Sequence, residues 1–548
     1  ILNKRSGKLL AVKRLALLAL ALSSIASAQA PKPRLVVLIS IDQYRQDYIR
    51  RFTADFLPPK TSDGVGGFRY LMETGADYMD AHHGHIPTAT GPGHATLFTG
   101  SEPSLDGIVG NDWIDRETGK DVYCVDDPSV ETVGGTSKPM SARNLFVSTV
   151  GDELKLATNG KAKVVGISLK DRAAILMAGH AADTVIWFDS KGGNWVSSSY
   201  YFPGKELPQW VQAENRLSIP KSTIGKTWEP LLPADHYGLT RPAPFVPAGS
   251  GPGFTHSIKS MGDFGTSRYG NDFLFDTVDK AIAAEGLGQD DVPDVLVVNL
   301  ASNDYVGHAY GPNSPEVMDM AVRSDRLLSG LFNTIEHTVK GGLDRTLIIL
   351  TADHGVLPIP EEAEKLRMPS ERLDEKAMLD SLNKGLSATF GEGKWVLGRE
   401  EQNLYLNVKL IAEKGLSREA VENRAADLLA DAPGVYMALT RTQVMKGQVP
   451  ATNWTDLVMR SFHPKLSGDL IVAEKPGSLF ADGNGTSHGT PWAYDTHVPL
   501  LLHGPGVVAG HYGRHVYTRD IASTVCAILG IEYPTGNMGS PLFEMLKK

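Results

Sequence analysis

Six side chains of two kinds recur beside short apolar runs of the chain: Asp42, Asp304 and Asp353, with His308, His354 and His488. Asp304 precedes His308 by four residues, Asp353 is followed directly by His354, and His488 lies in Thr486-Ser487-His488-Gly489-Thr490-Pro491. One carboxylate past a strand end is commonly a helix cap. Three aspartates with three histidines do more: they suffice for two sites, each with three protein ligands and an open position, the arrangement of catalytic zinc. Oxygen and imidazole without thiolate suit zinc better than magnesium or calcium, which favour all-oxygen shells. The expected cofactor is Zn2+, two per chain.

A third element is Thr88-Ala89-Thr90-Gly91-Pro92-Gly93-His94. Glycines and a proline around a hydroxyl residue predict a tight turn that exposes the side chain. A threonine hydroxyl is almost wholly protonated at neutral pH, and metal coordination is one way to activate it. Beside two metals, Thr90 is therefore the candidate nucleophile.

These residues need a scaffold that gathers them. Apolar runs at Leu35–Ser40, Lys163–Ile167, Asp294–Leu300, Thr346–Leu350 and Val498–Leu502 alternate with helical patterns. This alternation predicts an α/β fold, doubly wound, with a mostly parallel sheet covered by helices on both faces. Ser314 and Pro315 mark the start of one helix, which continues through Met318, Val322, Leu328, Leu331 and Ile335. Ligands of such folds bind beyond the carboxyl ends of the strands, where Asp42, Lys170, Arg172, Asp304, Asp353 and His354 fall. An extended backbone would point Lys170 and Arg172 to the same side. Residues near 185–265 and 360–480 break the rhythm and read as insertions.

At the N-terminus, Lys4, Arg5, Lys8, Lys13 and Arg14 precede an apolar run from Leu15 to Leu22 and the small residues Ala26-Ser27-Ala28. That layout predicts a secretory signal peptide over residues 1–28, since the run falls short of the roughly 20 residues that cross a bilayer. The remainder, 29–548, is expected to be one catalytic domain, periplasmic or secreted, without stable membrane insertion after signal cleavage. Loss of the leader moves the formal charge from −9 to −14. Such a charge argues against nucleic acid as a partner and implies that a phosphate site needs local cations. Cys124 and Cys526 are the only cysteines, too few for a disulfide framework.

Taken together, these pieces resemble the alkaline phosphatase superfamily. Within it the chain is similar to the nucleotide pyrophosphatase/phosphodiesterase branch and its bacterial PafA-type alkaline phosphatases, which use a threonine nucleophile. The resemblance implies that Asp42, Asp353 and His354 hold the zinc that activates Thr90, and that Asp304, His308 and His488 hold the zinc facing the leaving group. It implies that Asn111, Lys170 and Arg172 contact the phosphoryl oxygens, and that turnover passes through a phosphothreonine. Diesterase members generally lack the Lys170 and Arg172 pair, so small-molecule phosphate monoesters are the expected substrates. The competing readings are a diesterase with the same metals and a non-catalytic zinc-binding periplasmic protein. His82, His83, His85, His94, His180, His497 and His503 are expected to be structural.

Overall fold

The computed structural model describes residues 31–244, 251–481 and 483–547. The expected signal segment, 1–28, lies outside the described residues. An eleven-stranded sheet forms the centre of the molecule. Its principal elements, in chain order, are β1 (Leu35–Ile41), β2 (Ala76–His82), α1 (Thr90–Thr99), β3 (Val164–Ser168), α2 (Asp171–Ala178), β4 (Thr184–Asp189), β5 (Asn194–Ser198), β6 (Asp294–Leu300), α3 (Ser302–Tyr310), α4 (Pro315–Thr338), β7 (Thr346–Thr351) and β8 (His497–His503).

Hydrogen bonding orders the middle of the sheet as β2-β8-β7-β1-β6-β3-β4-β5. β1 pairs in parallel with both β6 and β7, and β3 pairs in parallel with β6 and β4. β8 departs from the parallel pattern, running antiparallel to both β7 and β2. Its apolar run is the same kind as the parallel strands', because burial on both faces, not direction, demands it.

The alternation of side chains along a strand divides the core in two. Leu35, Val37, Ile39 and Ile41 pack into one layer with Leu296, Val298 and Leu300, while Val36 and Leu38 join the opposite layer with Val295 and Val297. All seven β1 side chains are buried, and each large aliphatic one contributes roughly 1.5–3 kcal/mol by leaving water. A sheet secured in this way is a rigid base for whatever leaves its carboxyl edge.

The helix signalled by Ser314 and Pro315 is α4, with the Ser314 hydroxyl accepting from the Val317 amide at 3.2 Å. From residues 185–265, Trp195 is fully buried and stacks on Phe273 with ring centroids 4.9 Å apart. Residues 360–480 contain a four-stranded sheet, Val396–Glu400, Asn403–Leu406, Leu470–Glu474 and Val435–Thr440, with its own apolar cluster. Both cysteines are buried free thiols.

Two local expectations are corrected. Thr90 does not sit in a turn; it is the first residue of α1, after Ala89 in extended conformation. Proline is tolerated in a helix's first turn, and Gly93 is required by proximity, since a Cβ there would lie 2.2 Å from the Asp353 carbonyl oxygen. Lys170 and Arg172 do not share an extended strand either. Lys170 caps α2 and Arg172 is its second residue, so their convergence comes from the strand-to-helix bend.

Candidate active site

β1, β6, β3 and β7 deliver their charged residues to one edge. Asp42 follows β1 directly, Asp353 is two residues past β7, and Lys170 is two residues past β3. α3 begins just after β6 and carries Asp304 in its first turn. His308, four residues on, stands above Asp304 on the same helical face. His488 arrives on the segment preceding β8.

Two groups of potential ligand atoms form there. Asp42, Asp353 and His354 make one, and Asp304, His354 and His488 the other, with the ligand atoms of each group within 4.8 Å of one another. His308 adjoins the second group, its Nε2 3.1 Å from Asp304 Oδ1. The His354 and His488 rings stack between the groups with centroids 3.5 Å apart.

Each of the three histidines is oriented by a backbone carbonyl. His308 Nδ1 lies 2.7 Å from Thr486 O, His354 Nδ1 2.9 Å from Gly355 O, and His488 Nδ1 2.8 Å from Thr88 O. A carbonyl only accepts, so Nδ1 carries the proton and the Nε2 lone pair is left for a cation, the usual support of a metal-binding imidazole. Burial and the neighbouring His488 push His354 well below its ordinary pKa, and burial with His308 brings His488 down to about 3. Both rings are therefore neutral, the form that binds metal.

The carboxylates tell the same story from the other side. Burial raises Asp42 and raises Asp353 strongly, the latter helped by the charge of Asp42. Asp304 resists its burial and is held well below the usual range by His308 and Lys170. Asp353 Oδ2 is buried without a hydrogen-bond partner. Buried acids crowded in this way need cations, and the donor set fits zinc.

Thr90 Oγ1 faces this cluster. It lies 3.3 Å from Lys170 Nζ, 3.3 Å from an Arg172 guanidinium nitrogen and 3.5 Å from His354 Nε2. The N-terminal end of α1 adds its positive partial charge. The two cations and the helix terminus favour an oxyanion at Oγ1, while the Nε2 lone pair of neutral His354 can only accept from the hydroxyl. Asn111 is tied to the same helix start, its Oδ1 accepting from the Gly91 amide at 2.8 Å. Its Nδ2 is thereby free to donate.

Comparison with known proteins decides the lineage: residues 36–505 match the family described as Type I phosphodiesterase / nucleotide pyrophosphatase. The chain belongs to that family. It is 36% identical to alkaline phosphatase PafA of Elizabethkingia meningoseptica, over 94% of this chain and 95% of that protein. The crystal structure of wild-type PafA superposes with a TM-score of 0.87, covering 94% of this chain and 99% of that one. A Myroides odoratus protein named calcium-transporting ATPase is 34% identical over 96% of each chain. Alkaline phosphatase PhoV of Synechococcus elongatus is 35% identical over 94% of this chain and 93% of its own. Among the described residues, no helix is long and apolar enough to cross a membrane.

Several residues of this family member's site escaped the sequence reading. Gln43 donates its backbone amide to Asp353 Oδ1 at 3.1 Å and its side-chain amide to Asp304 Oδ1 at 2.7 Å, so it braces a carboxylate of each group. Only its position next to Asp42 hinted at this. Asn299 Nδ2 lies 3.3 Å from Asp42 Oδ2 and 3.0 Å from His94 Nε2. His94 also lies 2.8 Å from the Thr90 carbonyl through Nδ1, which occupies both ring nitrogens. Tyr123 accepts from Arg172 at 3.0 Å and donates to Asp171 Oδ1 at 2.5 Å. Glu401, from the inserted sheet, accepts from the Asn111 amide at 3.5 Å. No local pattern marks Tyr123 or Glu401.

Proposed function

We propose that this chain is an exported, zinc-dependent alkaline phosphatase that hydrolyses phosphate monoesters through a phosphothreonine at Thr90. The observation that carries this reading is the convergence of Lys170 and Arg172 on Thr90 Oγ1, each at 3.3 Å. A group transferred to that oxygen meets both cations at once. The names of PafA and PhoV as alkaline phosphatases point the same way.

Asp42, Asp353 and His354 would hold one zinc ion, and Asp304, His308 and His488 the other. When bound, such a pair supplies Lewis-acid stabilisation of the attacking and leaving oxygens of an in-line displacement. The chain's own residues do the rest. Thr90 supplies the nucleophilic oxygen, with Lys170, Arg172 and the α1 terminus lowering the cost of its negative charge. Asn111 Nδ2 donates to one phosphoryl oxygen, while Lys170 and Arg172 take the charge on the others, as phosphoryl transfer demands. A monoester dianion carries one more charge than a diester, so this pair favours monoesters.

The test compares hydrolysis of a nitrophenyl phosphate monoester and its methyl diester by purified protein, before and after chelation and zinc restoration. Faster monoester turnover, lost with zinc and regained with it, is expected. Preference for the diester, or full turnover in a demonstrably metal-free sample, would overturn the reading. Export to the periplasm or medium is checked by fractionating cells that express the full chain.

A further inference from the structure

A second concentration of imidazole and carboxylate lies on the sheet edge and shares no residue with the Thr90 centre. Asp80 and His82 sit two residues apart on β2, so both side chains leave the same face. The antiparallel pairing of β2 with β8 sets His497 opposite His82. Their rings stack with centroids 4.5 Å apart, and ligand atoms of Asp80, His82 and His497 all lie within 4.8 Å of one another.

Each of the three is already oriented from behind. His497 Nε2 lies 3.0 Å from the Met79 carbonyl oxygen. That oxygen only accepts, so Nε2 carries the proton and Nδ1 keeps a lone pair. His82 Nδ1 is engaged by the Thr496 hydroxyl at 2.9 Å, which directs Nε2 to Asp80 Oδ1 at 3.0 Å. Asp80 Oδ2 is held by His515 Nδ1 at 3.0 Å, leaving Oδ1 as the inward atom. Orientation of ligands by such partners is a common feature of metal sites.

We propose that Asp80, His82 and His497 form an additional binding site for a zinc-class divalent cation, braced by His515. Two imidazoles and a carboxylate with an open fourth position match zinc's preferences. The bound ion would join β2 to β8 and, through His515, to the chain entering the strand Val516–Tyr517 that pairs with β2. Because the cluster shares no residue with the two groups around Thr90, the site's effect is expected on stability, not on chemistry.

The probe is zinc itself, titrated into the full chain and counted by elemental analysis after removal of free metal. Wild type is expected to retain one more zinc per chain than His497→Ala and than Asp80→Asn. Both variants should keep monoester kcat/KM within about twofold of wild type, and both should lose several degrees of the zinc-induced rise in Tm. Loss of one zinc in either variant with activity kept supports the site. Equal zinc counts in wild type and both variants overturn it, as does a variant deficit accompanied by loss of the Thr90 centre's activity.

Discussion

Lys170 Nζ lies 2.6 Å from Asp304 Oδ2 and 3.0 Å from Asp42 Oδ1, joining through one buried ammonium the two carboxylates assigned to different metals. Burial opposes that charge, yet Asp304 and Asp42 outweigh it and raise the amine above its ordinary pKa. Lys170 is thus a fixed cation, and with Arg172 it meets whatever charge develops beyond Thr90 Oγ1. The double change Lys170→Ala with Arg172→Ala should lower monoester kcat/KM by about 10²-fold or more, the usual scale for preorganised charge stabilisation. Diester hydrolysis should fall far less. Zinc content should not drop, because the ammonium competes with metal for Asp42 and Asp304 rather than holding it. Equal losses on both substrates would refute the role.

Thr90→Ala removes the oxygen on which these groups converge. Because the Thr90 hydroxyl bonds to side chains of the site and not to the backbone of its helix, and only two heavy atoms are lost, fold and zinc content should stay near wild type. Monoester kcat/KM should fall by about 10³-fold or more, with residual turnover from the remaining charge stabilisation. Thr90→Ser should retain part of the rate. Phosphate label trapped by acid quench should map to Thr90 in wild type; label at another residue would reassign the nucleophile.

What the sequence disclosed and what it hid follow a physical divide. β1 was legible because a strand buried on both faces must be apolar at every position, and Asp42 was legible because it ends that run. Asp304 and His308 were legible by their spacing alone, although the helix that makes the spacing useful was not marked. Thr90 was found by its neighbours, but the glycines that suggested a turn serve a close approach, Gly93 against the Asp353 carbonyl. Tyr123, Glu401 and the His82–His497 pair could not be read. Their partners lie far along the chain, and strand register or a loop's landing place brings them together.

Tyr123 offers a test of such a hidden contact. Its hydroxyl stands between Arg172 and Asp171, and Asp171 Oδ1 also accepts from the Arg172 amide at 2.6 Å. Tyr123→Phe deletes two hydrogen bonds to charged groups, to Arg172 and to Asp171, of which the one that braces Arg172 is worth about 1.5–3 kcal/mol. The guanidinium keeps its charge but loses its brace. Monoester kcat/KM is expected to fall roughly tenfold, with unchanged zinc content and little change in diester hydrolysis. An unchanged monoester rate would mean that Arg172 is held without the tyrosine.

Glu401 tests how the inserted sheet couples to the site through stability. It is half-buried behind Asn111 with a φ of +53° and with a buried, unpartnered Oε2. Burial first, and then the charges of Glu400 and Asp112, push its carboxyl up from 4.5 to about 8, against the opposing pull of the Asn111 amide and Arg172. Between those two values the unfolded chain has released the proton and the folded chain has kept it. The folded state binds more protons, so stability falls as pH rises across that window. The contribution is fully present below the unfolded value and lost once pH passes the folded one. Glu401→Gln carries no titrating proton there. The variant's Tm minus that of wild type should therefore grow steadily from about pH 5 to about pH 8 and level off above. Paired thermal scans of the two proteins in zinc-matched buffers measure it directly. A difference that stays flat across the window would show that Glu401 ionises in the fold as it does in the open chain.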